Sequence, residues 1–210
     1  MEPWSFGEQP LPEVVELAAV VRELTSTVLA LEHGSPELVA LIGVLRDAQR
    51  RLADAMPRDP SPRIGHEAAD DQRVYVDHSR DIGDYNPCFP RYEFRARGTE
   101  GRGTVEFPLC YEGPPGIVHG GFLAVFFDCV LQQLNCDLGL AGKTAELSLR
   151  FRRPTPLLTP LAVYAVRSIE GDRIRSRAEL QLDGTVLCEA HMLAAAGDRA
   201  SLPAVSPRRP

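Results

Sequence analysis

Lysine is almost missing from this chain: Lys143 is the only one, and nearly all positive charge is arginine. The formal charge is -6, so there is no broadly basic surface to displace counterions from phosphates, which argues against unspecific nucleic-acid binding. Cysteine patterning is also poor. Cys88, Cys110, Cys129, Cys136 and Cys188 form no CxxC pair and have no histidine at metal-ligand spacing, so neither a disulfide framework nor a zinc site is implied. No metal and no cofactor are expected. No apolar run approaches the roughly 18 residues of a membrane span, and the start, Met1-Glu2-Pro3-Trp4-Ser5-Phe6, lacks the basic and apolar regions of a signal peptide. These absences lead to the expectation of a cytoplasmic protein with no membrane span and no nucleic-acid partner.

What is present looks like an ordinary folded chain, with 44% apolar and 25% charged residues, and its length accommodates one domain plus an extension. Val14, Leu17, Val21, Leu24, Val28 and Leu31 recur at steps of three and four and predict a helix over 12–33. His33-Gly34-Ser35-Pro36 reads as a stop and restart, with Ser35 as N-cap and Pro36 in the first turn. Leu38, Leu41, Leu45, Ala48 and Leu52 repeat the rhythm, so residues 1–56 are expected to hold an antiparallel helical hairpin for packing or dimerisation, with a regulatory or partner-docking role as the alternative. The aperiodic stretch 57–72 reads as a linker, 73–197 as the main domain and 198–210 as a tail.

Within the main domain, Tyr92 to Phe107 carries two strand-like stretches around Gly98, Gly101 and Gly103, which predicts a hairpin. Residues 143–194 alternate apolar and polar side chains, with Glu170-Gly171-Asp172 and Asp183-Gly184 at turn positions, and read as a four-stranded meander. Two strands, one helix and four strands make an α+β domain whose antiparallel sheet has a single helix to cover it.

That helix, Gly121 to Leu134, is apolar around most of its circumference, and Asp128 is the anomaly in it. An ionised carboxylate buried without partners costs several kcal/mol, at least about 3. Gly121, Ala124, Asp128, Gln132 and Asn135 fall on one small-and-polar stripe, expected to face a cleft while Phe122, Phe126 and Phe127 pack on the sheet. The first amides of the helix, at Gly120 and Gly121, point outward with partial positive charge and suit a developing oxyanion. The alternative is structural: the glycines relieve crowding and Asp128 caps a loop. His119 reads as an oriented group at the helix start as readily as a base.

Gly83-Asp84-Tyr85-Asn86-Pro87, Tyr111-Glu112-Gly113-Pro114-Pro115-Gly116-Ile117-Val118-His119-Gly120-Gly121, Asp128, and Arg153-Pro154-Thr155-Pro156-Leu157 together resemble the PaaI-type hotdog-fold acyl-CoA thioesterases over roughly residues 80–195. The resemblance implies an antiparallel sheet wrapped around one central helix. It implies Asp128 as general base or nucleophile, Gly121 as amide donor to the thioester oxygen, and Thr144 as a group that helps to place water. Strict alternation instead puts Thr144 on the polar strand face with Glu146, Ser148 and Arg150, so an exposed structural threonine remains open. The resemblance further implies a homodimer or dimer of dimers, with acid and oxyanion donor from different subunits. Gly120, Gln132 and Asn86 are candidate substrate contacts. Lys143, Arg150, Arg152 and Arg153 are the nearest basic cluster for coenzyme A phosphates, and a solvated strand edge explains them equally well. The expected activity is hydrolysis of an acyl-CoA thioester. The alternatives are a non-catalytic acyl-CoA-binding or assembly module and an enoyl-thioester hydratase or dehydratase. The N-terminal hairpin lies outside the minimal domain of that family.

Overall fold

The structure, a computed structural model of the chain, describes residues 7–63, 72–139 and 142–196; the expected C-terminal tail lies outside them. Two helices come first, α1 (Pro12–Leu29) and α2 (Pro36–Asp54). The restart is built as the sequence suggests: Ser35 is extended, and its hydroxyl accepts the Leu38 amide at 3.3 Å. α1 ends four residues before His33, so residues 30–35 form the link. The apolar stripes bury less than expected. α1 buries Ala18 and Arg22, whereas Leu17 remains 52% exposed; α2 buries no residue, and Leu45 remains 48% exposed.

α1 is nonetheless fastened to the main domain, because Arg22 reaches across to it. The guanidinium donates to the carbonyls of Gly83, Asn86 (3.3 Å) and Phe89 (3.3 Å) and to the Tyr111 hydroxyl (3.3 Å). Arg22 is only 6% exposed, and a buried guanidinium is tolerated where its donors meet acceptors in this number.

The expected linker holds a strand: β1 (Asp59–Arg63) pairs in parallel with β2 (Gln72–Val74). A short helix α3 (Ile82–Tyr85) leads into β3 (Tyr92–Arg97) and β4 (Glu100–Val105), joined by a two-residue turn with Gly98 at φ 62. Gly101 is required by packing, since a Cβ there would lie 2.1 Å from the Phe94 ring. After a 3-10 turn at Leu109–Tyr111 comes α4 (Gly120–Asp137), then β5 (Gly142–Phe151), β6 (Leu161–Glu170), β7 (Arg173–Leu182) and β8 (Thr185–Ala196).

These strands form one antiparallel sheet in the order β3-β4-β6-β7-β8-β5. The meander is therefore real only for β6 to β8. Asp183 and Gly184, at φ 49 and 75, make the two-residue turn between β7 and β8, with both central residues left-handed as such hairpins need. β5 pairs with β8 at the far edge instead of with β6. The reason lies in its exit: residues 152–160 carry Pro154, Pro156 and Pro160, too long and too stiff for a tight turn. This segment instead runs along the chain before α4, with the Val118 amide donating to the Thr155 carbonyl at 2.9 Å.

α4 fills the sheet. Leu123, Phe126, Phe127, Val130, Leu131 and Leu134 are buried in one cluster with inward residues of β3 to β8. Phe126 meets Tyr92 and Phe107 edge to face, at 5.6 and 5.5 Å between ring centres, the favoured geometry for ring quadrupoles. Phe122 differs from expectation: it stays half-buried and turns to Tyr111 at 4.9 Å rather than to the sheet. The far end of α4 is capped by Arg167 of β6, which donates to the carbonyls of Asn135 and Leu138 at 3.1 and 3.0 Å. A cation there complements the helix dipole.

Candidate active site

α4 is buried on three sides, and the fourth carries the candidate chemistry. Gly121 is exposed and Ala124, Asp128 and Gln132 are half-buried, so the small-and-polar stripe faces outward over its first three turns. Asn135 departs from it. It is 0% exposed, its Oδ1 accepts from the Ser176 hydroxyl at 3.2 Å, and its Nδ2 has no partner among the described residues. The sheet curls over the last turn of α4 through Arg167 and Ser176, so the same helical face passes from open to covered along its length.

Thr144 is brought against Asp128. Its hydroxyl donates to Asp128 Oδ1 at 2.9 Å and accepts from Gln132 Nε2 at 2.7 Å. This corrects the polar-face placement that strict alternation gave, and the cause is a β-bulge. Thr144 pairs with Ala194 and Glu146 with Leu193, leaving Ala145 as one extra residue in β5. A single inserted residue reverses the facing of everything before it. Thr144 thus shares the inward face with Leu147 and Leu149, opposite the buried Ala194, Met192 and Ala190.

The helix start is tightly determined. The His119 amide donates to the Tyr111 carbonyl at 2.9 Å, and His119 Nδ1 accepts from the Gly121 amide at 3.0 Å, so His119 is the N-cap. A Cβ on Gly113 would come within 2.8 Å of His119 Cα, which explains the glycine there. The Gly121 amide expected to be free is therefore engaged with the imidazole. The Gly120 amide has no partner among the described residues. It opens on a groove of about 440 Å³ lined by Gly120, Leu123, Phe151, Arg152, Arg153 and Thr155, among others.

Of the basic cluster, Arg152 and Arg153 line this groove. Arg152 is paired with Glu189 at 2.9 Å, and Arg153 makes no ion pair among the described residues. Lys143 and Arg150 are exposed on β5 and do not line it. Asn86 is not brought to the site. Its Oδ1 accepts the Cys88 amide at 3.1 Å and its carbonyl receives Arg22, which ties it to its own loop and to α1.

Sequence patterning missed Gln133, one residue off the stripe. It is 2% exposed; its Oε1 accepts the Tyr92 hydroxyl at 2.9 Å and the Asp81 amide at 3.2 Å. Gln133 anchors α4 to β3 and to the preceding loop. Burial pushes the Asp81 carboxyl above the usual range. Cys129, beside Asp128, is no nucleophile at neutral pH, because burial and then the Asp128 charge push its thiol up to about 12.

A larger groove of about 650 Å³ runs between α1 and the β3–β4 edge, with Glu23, Glu93 and Glu106 among its lining residues and none from α4. Among the described residues, no helix is long and apolar enough to cross a membrane.

No protein-family profile matches the chain. Among solved structures, a thioesterase superfamily protein superposes on 92% of this chain and 96% of its own, at 27% identity and a TM-score of 0.72. A phenylacetic acid degradation-related protein from Ralstonia eutropha matches half of the chain (50%) and 83% of its own, at 23% identity and a TM-score of 0.45. A hypothetical thioesterase protein from Streptococcus pneumoniae, solved with coenzyme A, matches 50% of this chain and 88% of its own, at 20% identity and a TM-score of 0.48. The first overlap takes in the N-terminal helices, as its coverage requires, and with the sheet order and the central helix it establishes the fold: this chain has the hotdog fold of a thioesterase superfamily structure, extended by two N-terminal helices.

Proposed function

We propose that the chain hydrolyses an acyl-CoA thioester, as the PaaI-type enzymes it resembles do. One observation carries this reading: Asp128 lies on the open stripe of an otherwise buried helix and receives a hydroxyl from Thr144, which Gln132 holds in turn. A carboxylate so oriented is placed to take a proton from water, as a base, or to attack a carbonyl carbon, as a nucleophile. In the first case the hydroxide adds to the thioester carbon, the carbon–sulfur bond breaks, and the proton passes from Asp128 to the leaving thiolate. The oxyanion would rest on the first-turn amides of α4. Gly120 is free for this, and Gly121 becomes so when the His119 side chain rotates away.

Helix geometry sets a further requirement. Seven residues separate Gly121 from Asp128, a rise of roughly 10 Å, whereas an attacking group and the oxyanion donors must converge within about 3 Å of one thioester. The two groups of a single chain therefore serve different substrates, which supports a homodimer or dimer of dimers in which Asp128 of one subunit meets the α4 start of another. The groove with Arg152 and Arg153 beside Gly120 suits coenzyme A phosphates. On this reading residues 73–197 are the catalytic domain, 1–56 an assembly element, 57–72 the link and 198–210 a tail, in a cytoplasmic enzyme.

Thioester loss and free-thiol release from a panel of acyl-CoAs, comparing wild type with Asp128→Asn, test the proposal. A rate at least about a hundredfold lower in the variant is expected. Equal rates, or bound acyl-CoA that is never cleaved by either protein, would overturn it.

A further inference from the structure

α1 does not dock on the domain by its apolar stripe. Leu17 and Val28 stay 52% and 43% exposed, and the side turned to the domain carries Ala18, Arg22 and Ser26, which share one helical face because they are four residues apart. Two of these side chains end on the same short segment, the 3-10 turn Leu109–Tyr111. Arg22 Nε donates to the Tyr111 hydroxyl at 3.3 Å, and the Ser26 hydroxyl accepts the Cys110 amide at 3.3 Å. Ser26 is itself oriented, since its hydroxyl donates to the Arg22 carbonyl at 3.2 Å.

That turn opens the loop that delivers α4. The loop folds back on itself: Glu112 is bridged to Val118, the Gly113 amide donates to the Ile117 carbonyl at 2.8 Å, and the Tyr111 carbonyl accepts the His119 amide at 2.9 Å. The Tyr111 ring is 1% exposed and stands edge to face with Phe122 at 4.9 Å, one residue beyond Gly121. The other flank of the loop rests on the chain after β5, where the Thr155 carbonyl accepts the Val118 amide at 2.9 Å. We infer that α1 positions the start of α4: Arg22 and Ser26 hold the 109–111 turn, and the turn holds the first turn of α4 through the His119 amide and the Phe122 ring. Arg22 and Ser26 are thus positioning residues for the proposed reaction, and the inference rests on the thioesterase reading in taking the Gly120 and Gly121 amides as oxyanion donors. Such donors act only at about 2.7–3.1 Å from the developing oxyanion, and a misplacement of about 1 Å by a distant change can cost about a hundredfold in rate. The N-terminal extension therefore reaches the chemistry without contributing a group to it.

The test uses the full chain and the double variant Ser26→Ala/Tyr111→Phe. It removes both ties to the turn, keeps the Tyr111 ring against Phe122, and leaves Arg22 its carbonyls at Gly83, Asn86 and Phe89, so α1 stays docked. Thr25→Ala is the control, because its hydroxyl bonds only within α1, to the Val21 carbonyl at 2.8 Å. Well below the unfolding temperature, acyl-CoA hydrolysis by the double variant should show kcat lowered at least about threefold and KM within about twofold of wild type. The nitrogen–proton NMR signals of the Gly120 and Gly121 amides should move with it, and Thr25→Ala should change neither. Tyr111→Phe alone, a milder change, should move the same two signals by less. A tie that only stabilises the fold would lower the unfolding temperature and leave kcat and the two amides alone, and that result overturns the inference, as does a lowered kcat with unmoved amides. If the wild type cleaves no acyl-CoA, the thioesterase reading fails separately. The glycine signals then decide on their own: moved, they uphold the hold of α1 on the α4 start, and unmoved, they refute it.

Discussion

Replacing Thr144 by alanine removes one hydroxyl that the fold does not need and the proposed chemistry does. The side chain lies on an exposed edge strand and is not part of the buried core, so unfolding temperature should hold within a degree or two. What is lost is the 2.9 Å bond to Asp128 and the acceptor for Gln132. A hydrogen bond to a charged group contributes about 1.5–3 kcal/mol when well buried, and solvent screening at this half-open site brings it toward about 1 kcal/mol. Because about 1.4 kcal/mol is a factor of ten in rate, Thr144→Ala should lower kcat about five- to tenfold with KM little changed. Thr144→Ser keeps the hydroxyl and should keep most of kcat. Steady-state thioester hydrolysis by the three proteins, with thermal unfolding measured on each, decides the matter. A full kcat in Thr144→Ala, or a serine variant as slow as the alanine one, would refute the role given to the hydroxyl.

Arg22→Met should cost about 3 kcal/mol, or roughly 10 °C in Tm, since the buried carbonyl of Gly83, the part-buried carbonyls of Asn86 and Phe89 and the Tyr111 hydroxyl lose their donor; calorimetry on the full chain checks this. Arg153→Ala should raise KM for acyl-CoA several-fold and leave kcat near wild type, because Arg153 lines the groove at the α4 start without touching Asp128; an unchanged KM removes it from the substrate site. Alkaline stability should fall above about pH 9. Burial raises the thiols of Cys129 and Cys136 to about 12 and that of Cys188 to about 11 from 9.0. The folded state therefore holds protons that the unfolded chain releases, and stability present below pH 9 is lost as the pH climbs toward 12. Denaturant titrations at pH 8 and 10 should show the midpoint dropping, and a midpoint that rises would contradict it.

The central helix was legible because its apolar residues are too many for one face and Asp128 breaks them, and the hairpin turns because Gly98 and Asp183-Gly184 have few other uses. The sheet order was not, since nothing in β5 alone says that its partner is β8; only the three prolines of 152–160 hinted that the next turn could not be tight. The facing of Thr144 was hidden for a sharper reason. A bulge shifts phase by one residue and leaves no mark in composition, so alternation counted through Ala145 gives the wrong face. Asn135 failed because helical period fixes the side of a helix but not how far along it the sheet curls. The apolar stripes of α1 and α2 were read correctly as stripes, and their burial within one chain was not.

The Ala145 bulge divides β5 into two segments with different duties. Thr144, just before it, is phased to α4 and carries the hydroxyl at Asp128, while Leu147 and Leu149 beyond it are phased to the buried Met192 and Ala190 of β8. Deleting one residue at the joint would force a choice: either Thr144 turns to solvent with the packing intact, or the packing slips with Thr144 in place. Related chains can therefore vary the length and sequence of this strand past the joint, and with it the wall of the groove formed by Phe151 and Arg152, without moving the hydroxyl. Substrate range and proton chemistry are thereby open to separate change.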